Sequence, residues 1–364
     1  MSEKPLSKLM TTLKSPRVSV DLTGVKEAFN ERIPIDLSKV ADAINEPIPK
    51  YQEMFTFAAG GIPLFLFGIQ AVTGILLAFF YVPQWDAAYE SVRHITEGVP
   101  FGWWVRGIHR WSANLMILFV FLHMIRTFIF GSYRKPREFT WLMGVGLLFV
   151  TVTFGFTGYS LIGNQVSYWA SVIGTNIAGN VPVIGKYLLY FMRGGWEVTD
   201  GTLTRFFALH AWVMPVSLTL LVGIHVVLVR LHGPTRVDPD DEREIKFWPD
   251  QIVNEVIVLL YILILIMVLT TLFPPHVGER ATPEQTPLHI APEWYFLWVY
   301  GFLKLVPGTI GMLGLMLFVA ALVFWPWVDK VLQRISPRLD LSVVLGTIVA
   351  LLVIIAIWWQ AFFL

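Results

Sequence analysis

Residues 106–126 read RGIHRWSANLMILFVFLHMIR, and residues 209–230 read LHAWVMPVSLTLLVGIHVVLVR. Both stretches are apolar enough to sit in lipid, yet each holds two histidines, His109 with His123 and His210 with His225. The intervals are 14 and 15 residues, about four helical turns and roughly 21–23 Å of rise. Both members of a pair therefore face one side of their helix. Two such helices laid side by side offer two histidine–histidine gaps at two depths of a bilayer. That is the coordination demand of two stacked six-coordinate haems, one near each membrane surface. A single intramembrane histidine reads equally as a hydrogen-bonding group of a bundle interior. Four at matching spacing read as ligands.

The rest of the chain fits a membrane setting. Of 364 residues 55% are hydrophobic and 15% charged, where a soluble domain carries about 25% charged. Long apolar runs predict seven spans: about Met54–Val82, Trp103–Phe130, Phe139–Leu161, Thr204–Leu231, Ile252–Phe273, Ile310–Val328 and Leu341–Phe362. The fold class is an all-α, polytopic transmembrane bundle, with a four-helix di-haem part and a three-helix C-terminal part. Its segments are 1–50 (N-terminal), 51–232 (haem-binding), 233–250 (linker) and 251–364. The stretch Leu37–Ile44 is either a helix on the membrane surface or part of a plain cytoplasmic tail.

No cysteine is present. That excludes disulfides, thiolate-held iron–sulfur clusters and c-type haem attachment, and leaves histidine as the ligand for redox iron. The net charge is +1 and the basic patches are loop-sized, so no nucleic-acid partner is expected. Of the 27 Lys and Arg, 19 fall on the side of the N-terminus and 8 on the other. The positive-inside rule then puts the N-terminus in the cytoplasm, with His109 and His210 near the outer face. His123 and His225 come near the inner face. Both long connections, 162–203 and 274–307, face outward.

Three further patterns bear on chemistry. Gly60 and Gly74 lie 14 apart, as do Gly144 and Gly158. The match with the histidine interval suggests backbone approach to a haem edge, and small-residue helix packing is the other reading. Arg106 lies three residues before His109 and Arg126 three after His123. They are cations for haem propionates or residues that snorkel to headgroups. Finally, Pro292-Glu293-Trp294-Tyr295 puts a carboxylate at membrane depth, where it could accept protons from a quinol. Spacing alone fits an interfacial aromatic belt and a solvated acid as well.

Taken together, several motifs resemble the cytochrome b/b6 family, the quinol-oxidising core of cytochrome bc complexes. They are RGIHRWSA from Arg106, GSYRKPREFTW from Gly131, FGFTGYSL from Phe154, TLTRFFALH from Thr202, and Pro292-Glu-Trp-Tyr. The resemblance runs from about Ile48 to about Arg334. The 15-residue histidine interval, Arg230 and the three spans after residue 250 are similar to the b6 and subunit IV branch. Ser171–Asn176 and Gly194-Gly195-Trp196 are closer to the bc1 branch. The chain thus looks like a b6-like part and a subunit IV-like part in one polypeptide, which suggests a prokaryotic plasma membrane.

The resemblance implies two haem b groups, His109/His210 holding the outer low-potential one and His123/His225 the inner high-potential one. It further implies a quinol oxidation pocket lined by Glu293, Tyr295 and Tyr168, and an inner quinone site near Arg230. A Rieske iron–sulfur protein, a c-type cytochrome and a homodimeric complex are the implied partners. The activity implied is a proton-translocating quinol:cytochrome c (or plastocyanin) oxidoreductase. A haem b membrane anchor of a dehydrogenase is the alternative. Two departures stand out. Ala58 occupies the place of the cysteine that attaches an extra haem in b6, leaving only a non-covalent third haem open. Leu161-Ile162-Gly163 replaces the family's Leu-Pro-Trp, while Gln165 is retained.

Overall fold

A computed structural model describes residues 47–50, 60–235, 242–287, 290–306 and 308–363. The Leu37–Ile44 stretch and Ala58 lie outside the described residues. Apolar side chains ring most of the long helices on all sides, as expected of segments that bury one face in protein and another in lipid.

In chain order, strand β1 (Pro47–Pro49) precedes α1 (Gly61–Ala78), α2 (Trp85–Glu97), α3 (Gly102–Ile129) and α4 (Glu138–Ser160). Two short helices follow, α5 (Gln165–Gly179) and α6 (Gly185–Arg193). The fourth span is composite: α7 (Asp200–Ala208), a π turn (Leu209–Val213) and α8 (Met214–His232). Next come strand β2 (Glu244–Lys246), α9 (Ile252–Leu272), α10 (Leu297–Leu305), α11 (Gly308–Val323), α12 (Trp325–Ile335) and α13 (Leu341–Phe363).

Among the described residues six helices are long and apolar enough to cross a membrane, and counting the bent pair α11–α12 as one span makes seven. Four spans close a ring, with α1 on α3, α3 on α4, α4 on α8, and the π turn against α1. Helix α9 packs on the outside of α3. Ile62 and Leu66 of α1, Ile108 and Leu115 of α3, Leu218 of α8 and Ile266 of α9 share one buried core. The loops segregate as the charge count expected. β1 pairs antiparallel with β2 at one end of the bundle, and α2, α5 and the connection after α9 meet at the other.

One expected span is corrected. The sixth was expected to run unbroken from Ile310 to Val328, but α11 ends at Val323 and α12 turns off at 76°. Pro326 sits in the first turn of α12, where its missing N–H is harmless, whereas inside a continuous helix its ring would clash. The turned helix is amphipathic and places Asp329, 1% exposed, in a polar knot at the end of the bundle that carries the α3–α4 loop. Arg134 Nε donates to Asp329 Oδ2 at 2.8 Å, and Arg134 Nη2 to Asp340 at 2.6 Å. Gln333 and the Ser342 hydroxyl also donate to Asp329. Lys330 pairs with Glu138 at 2.8 Å. This knot ties the α3–α4 loop to the last two helices.

Substituting Asp329 by alanine should therefore cost about 2–4 kcal/mol, since it strands three donors around a buried site. Asp340→Asn should cost under about 1 kcal/mol, because that pair is more exposed and water can replace it. Thermal unfolding of the two variants in detergent reads the difference.

Candidate functional site

The fourth span begins with a reciprocal cap. Thr199 N–H donates to Thr202 Oγ1 at 3.0 Å while the Thr199 side chain caps the first turn, so the helix starts firmly at its N-terminal end. His210 then falls within the π turn. A π turn holds one residue more than an α turn, and so absorbs the extra residue of the 15-residue interval. His225 is thereby brought back to the face of His210. The ring geometry agrees: His109 and His210 have centroids 6.3 Å apart, and His123 and His225 6.5 Å apart.

Those spacings test whether haem iron fits. Two metal–imidazole bonds of about 2.0–2.1 Å, with roughly 1.1 Å from each ring nitrogen to its centroid, separate two rings by about 6.2–6.4 Å. Both gaps match. Each gap holds two imidazoles, the donor set of bis-histidine haem ligation.

The four glycines face the four imidazoles. A Cβ on Gly60 would lie 3.5 Å from His123 Cε1, and on Gly74 3.3 Å from His109 Cε1. On Gly144 it would lie 3.4 Å from His225 Cε1, and on Gly158 only 2.8 Å from His210 Cε1. The matched intervals thus make room for the ligand rings themselves. The rings also have polar partners that sequence reasoning missed: Thr73 Oγ1 is 2.9 Å from His109 Nδ1, and Thr157 Oγ1 is 3.1 Å from His210 Nδ1. His225 Nδ1 donates to the Thr140 carbonyl at 3.1 Å. The available signal was a repeated dipeptide, Thr73-Gly74 and Thr157-Gly158.

The outer half of α3 also holds the connection that carries Glu293. Trp111 Nε1 donates to Phe273 O at 2.9 Å. Arg106, buried, donates to Pro275 O at 2.7 Å and His276 O at 3.0 Å. At the far end of the connection, Arg110 pairs with Glu293 at 3.1 Å and Trp294 Nε1 donates to Asn114 Oδ1 at 2.8 Å. Tyr295 lies on α4 at Gly155, where a Cβ would come 2.7 Å from its hydroxyl. Gly155 and Gly158 are one turn apart, so this pocket wall adjoins the outer histidine pair. Burial pushes the Tyr295 phenol far above its ordinary pKa, and the Glu293 charge adds to the rise. It therefore stays protonated and keeps an O–H to donate.

Tyr159, which sequence reasoning passed over, adds to the rise of the Tyr295 phenol. Tyr168 is placed elsewhere. It packs against Trp85 at 5.3 Å and lines a hollow of about 210 Å³ with Asp86, Gly163 and Arg280. At the other end of the bundle, Arg126 and Arg230 occupy the last turns of α3 and α8. The half-buried Glu255 lies against Gly61 and accepts from Gln251 Nε2 at 3.0 Å.

The Leu161-Ile162-Gly163 turn is rigid without its proline. Gly163 has a φ of +76°, a conformation suited to glycine, and it delivers Asn164 to a bridge with Arg280. Asn164 Nδ2 donates to Val277 O at 2.7 Å, Gln165 N–H to Glu279 O at 3.0 Å, and Gln165 Nε2 to Thr282. Asn164 also caps α5 by accepting from Ser167 N–H.

A bundle with two histidine gaps at two depths and a carboxylate-bearing outer connection is a membrane electron-transfer subunit. The family model described as cytochrome b/b6/petB matches residues 44–233, and the one described as cytochrome b (C-terminal)/b6/petD matches residues 280–361. The chain belongs to the cytochrome b/b6 family. It is 39% identical over 292 residues to the cytochrome bc complex cytochrome b subunit of Chlorobaculum thiosulfatiphilum, covering 78% of this chain and 68% of the relative. It is 44% identical over 185 residues to cytochrome b6 of Synechococcus elongatus, covering 51% of this chain and 86% of that one. Among solved structures it resembles a chain of a hyperthermophilic respiratory complex III, with a TM-score of 0.75 and 28% identity. That match covers 91% of this chain and 96% of the other. The chain is thus the cytochrome b subunit of a bc-type complex, a membrane oxidoreductase component of a haem b family.

Proposed function

We propose that this chain oxidises a membrane quinol at its outer face as part of a quinol:cytochrome c (or equivalent carrier) oxidoreductase, coupled to proton translocation. The observation that carries the reading is the ion pair between Glu293 and Arg110, beside the outer histidine pair. When bound at His109/His210 and His123/His225, two b haems would supply one-electron carriers at two depths. Arg106 and Arg126 would pair with their propionates, and the four glycines leave room for the ligand rings.

The side chains divide the proton work. Glu293 takes a quinol proton at its carboxylate once the Arg110 contact opens, and turning toward solvent releases it outward. Tyr295 keeps its own proton and orients the quinol by donating a hydrogen bond. The Asn114–Trp294 bond fixes the wall against which the quinol rests, and the neighbouring aromatic rings exclude water. On the inner side, Arg230 and Glu255 face a quinone to be reduced, Arg230 by charge and Glu255 as a proton source. Tyr168 and its hollow lie on the outer surface where an iron–sulfur protein of Rieske type would approach. Residues 51–232 carry the b6-like work and 251–364 the subunit IV-like work. The chain resides in a prokaryotic plasma membrane with its N-terminus in the cytoplasm, in a homodimeric complex.

Purification through a tag on this chain tests the assembly. A Rieske-type iron–sulfur protein and a c-type cytochrome should co-purify with quinol-oxidising activity. A molybdenum or nickel dehydrogenase in their place would contradict the proposal.

A further inference from the structure

Donor and acceptor bookkeeping at the histidine rings fixes their protonation. The Thr73 hydroxyl gives its proton to Ile69 O, 2.6 Å away and one turn back in α1. Toward His109 Nδ1 it can therefore only accept. The Thr157 hydroxyl likewise donates to Thr153 O at 2.9 Å, so toward His210 Nδ1 it too accepts. Thr140 O, a carbonyl, can only accept from His225. All three rings thus carry the proton on Nδ1 and present the Nε2 lone pair to their partner ring, as metal ligation at Nε2 requires. Both threonines are buried, Thr73 at 6% and Thr157 at 2% exposure, so water does not compete for the contact.

At the outer pair, both rings meet side-chain hydroxyls, one from α1 and one from α4, and His210 has the Phe154 carbonyl as a further acceptor. At the inner pair, His225 rests on the main chain. A hydrogen-bond acceptor on Nδ1–H fixes the ring's tautomer and rotation and makes Nε2 more basic. A more basic ligand favours the more highly charged, oxidised metal.

We propose that Thr73 and Thr157 are positioning residues that set the ligand strength of His109 and His210, and with it the reduction potential at the outer position, independently of the inner one. This rests on the bis-histidine haem reading above. Because the hydroxyls act on opposite ligands, their effects should accumulate.

The test is a potentiometric titration of the b-type α-bands in the intact complex carrying Thr73→Val, Thr157→Val, or both, beside Thr73→Ser and Thr157→Ser. Valine keeps the shape and removes the acceptor, whereas serine keeps the hydroxyl. Each valine variant should move one component to higher potential, Thr157→Val by less because the Phe154 carbonyl remains as an acceptor for His210, and leave the other at its wild-type value. The double variant should move it further, and the serine variants should titrate like wild type. Loss of that one component in a valine variant, with retention in serine, would equally support positioning. Unmoved potentials, joint movement of both components, or serine variants that behave like valine would overturn it. A wild-type complex without b-type bands would overturn the haem reading itself, and this assignment with it.

Discussion

Replacing His210 by alanine should remove one of two b-type components from the purified complex and leave the other intact. His210 stands opposite His109, with ring centroids 6.3 Å apart, and no other described histidine shares that gap. The inner pair lies about four helical turns away, roughly 21 Å, with its own ring contacts to Gly60 and Gly144. Loss at one depth should therefore not propagate to the other. A steric route should give the same result with both ligands in place. In Gly158→Val the new Cβ would fall 2.8 Å from His210 Cε1, below any tolerated contact, and the ring would have to swing out of line. Reduced-minus-oxidised spectra should show about half the α-band amplitude in both variants. Equal loss of both components would mean that the pairs do not act as separate sites.

Glu293→Gln should slow quinol oxidation by roughly 10²–10⁴-fold, the usual contribution of a positioned general base, while both b-type spectra stay as in wild type. Glutamine preserves the shape, and its amide oxygen can still accept from Arg110, so the wall held by Trp294 and Asn114 should keep its position. What is lost is a site that can take up a proton. Tyr295 cannot replace it, because burial and the nearby carboxylate keep its phenol protonated. Steady-state turnover with a soluble quinol, measured beside the spectra, separates the chemical defect from misassembly. Unchanged turnover would remove Glu293 from its role.

Much of this was legible in the chain because bilayer physics constrains it strongly. Apolar runs marked the spans, loop charges sorted the connections into two groups, and the histidine intervals placed two facing histidine pairs in two layers. The bend at Phe324 was not legible, because Trp325, Trp327 and Val328 keep the run apolar across it. What turns the chain is a tertiary demand, the buried Asp329 reaching Arg134, together with Pro326. Sequence could note that one histidine interval is longer by a residue, but only the π turn at Leu209–Val213 explains how both pairs still align. Thr73 and Thr157 were hidden because a threonine inside a span ordinarily bonds its own helix, and here each hydroxyl does so while also meeting a histidine. Arg110 lay within a quoted motif, yet its meeting with Glu293 depends on how the connection folds back over α3 and α4.

Haem stoichiometry combined with redox titration tests the central claim most directly. Acid extraction and quantification per polypeptide, followed by potentiometry of the intact complex, should give at least two non-covalent haem b groups. Two of them should titrate as one-electron components of distinct potential, one of which disappears in His210→Ala. A single b-type component, or none, in the wild-type complex would contradict the assignment of the two histidine pairs.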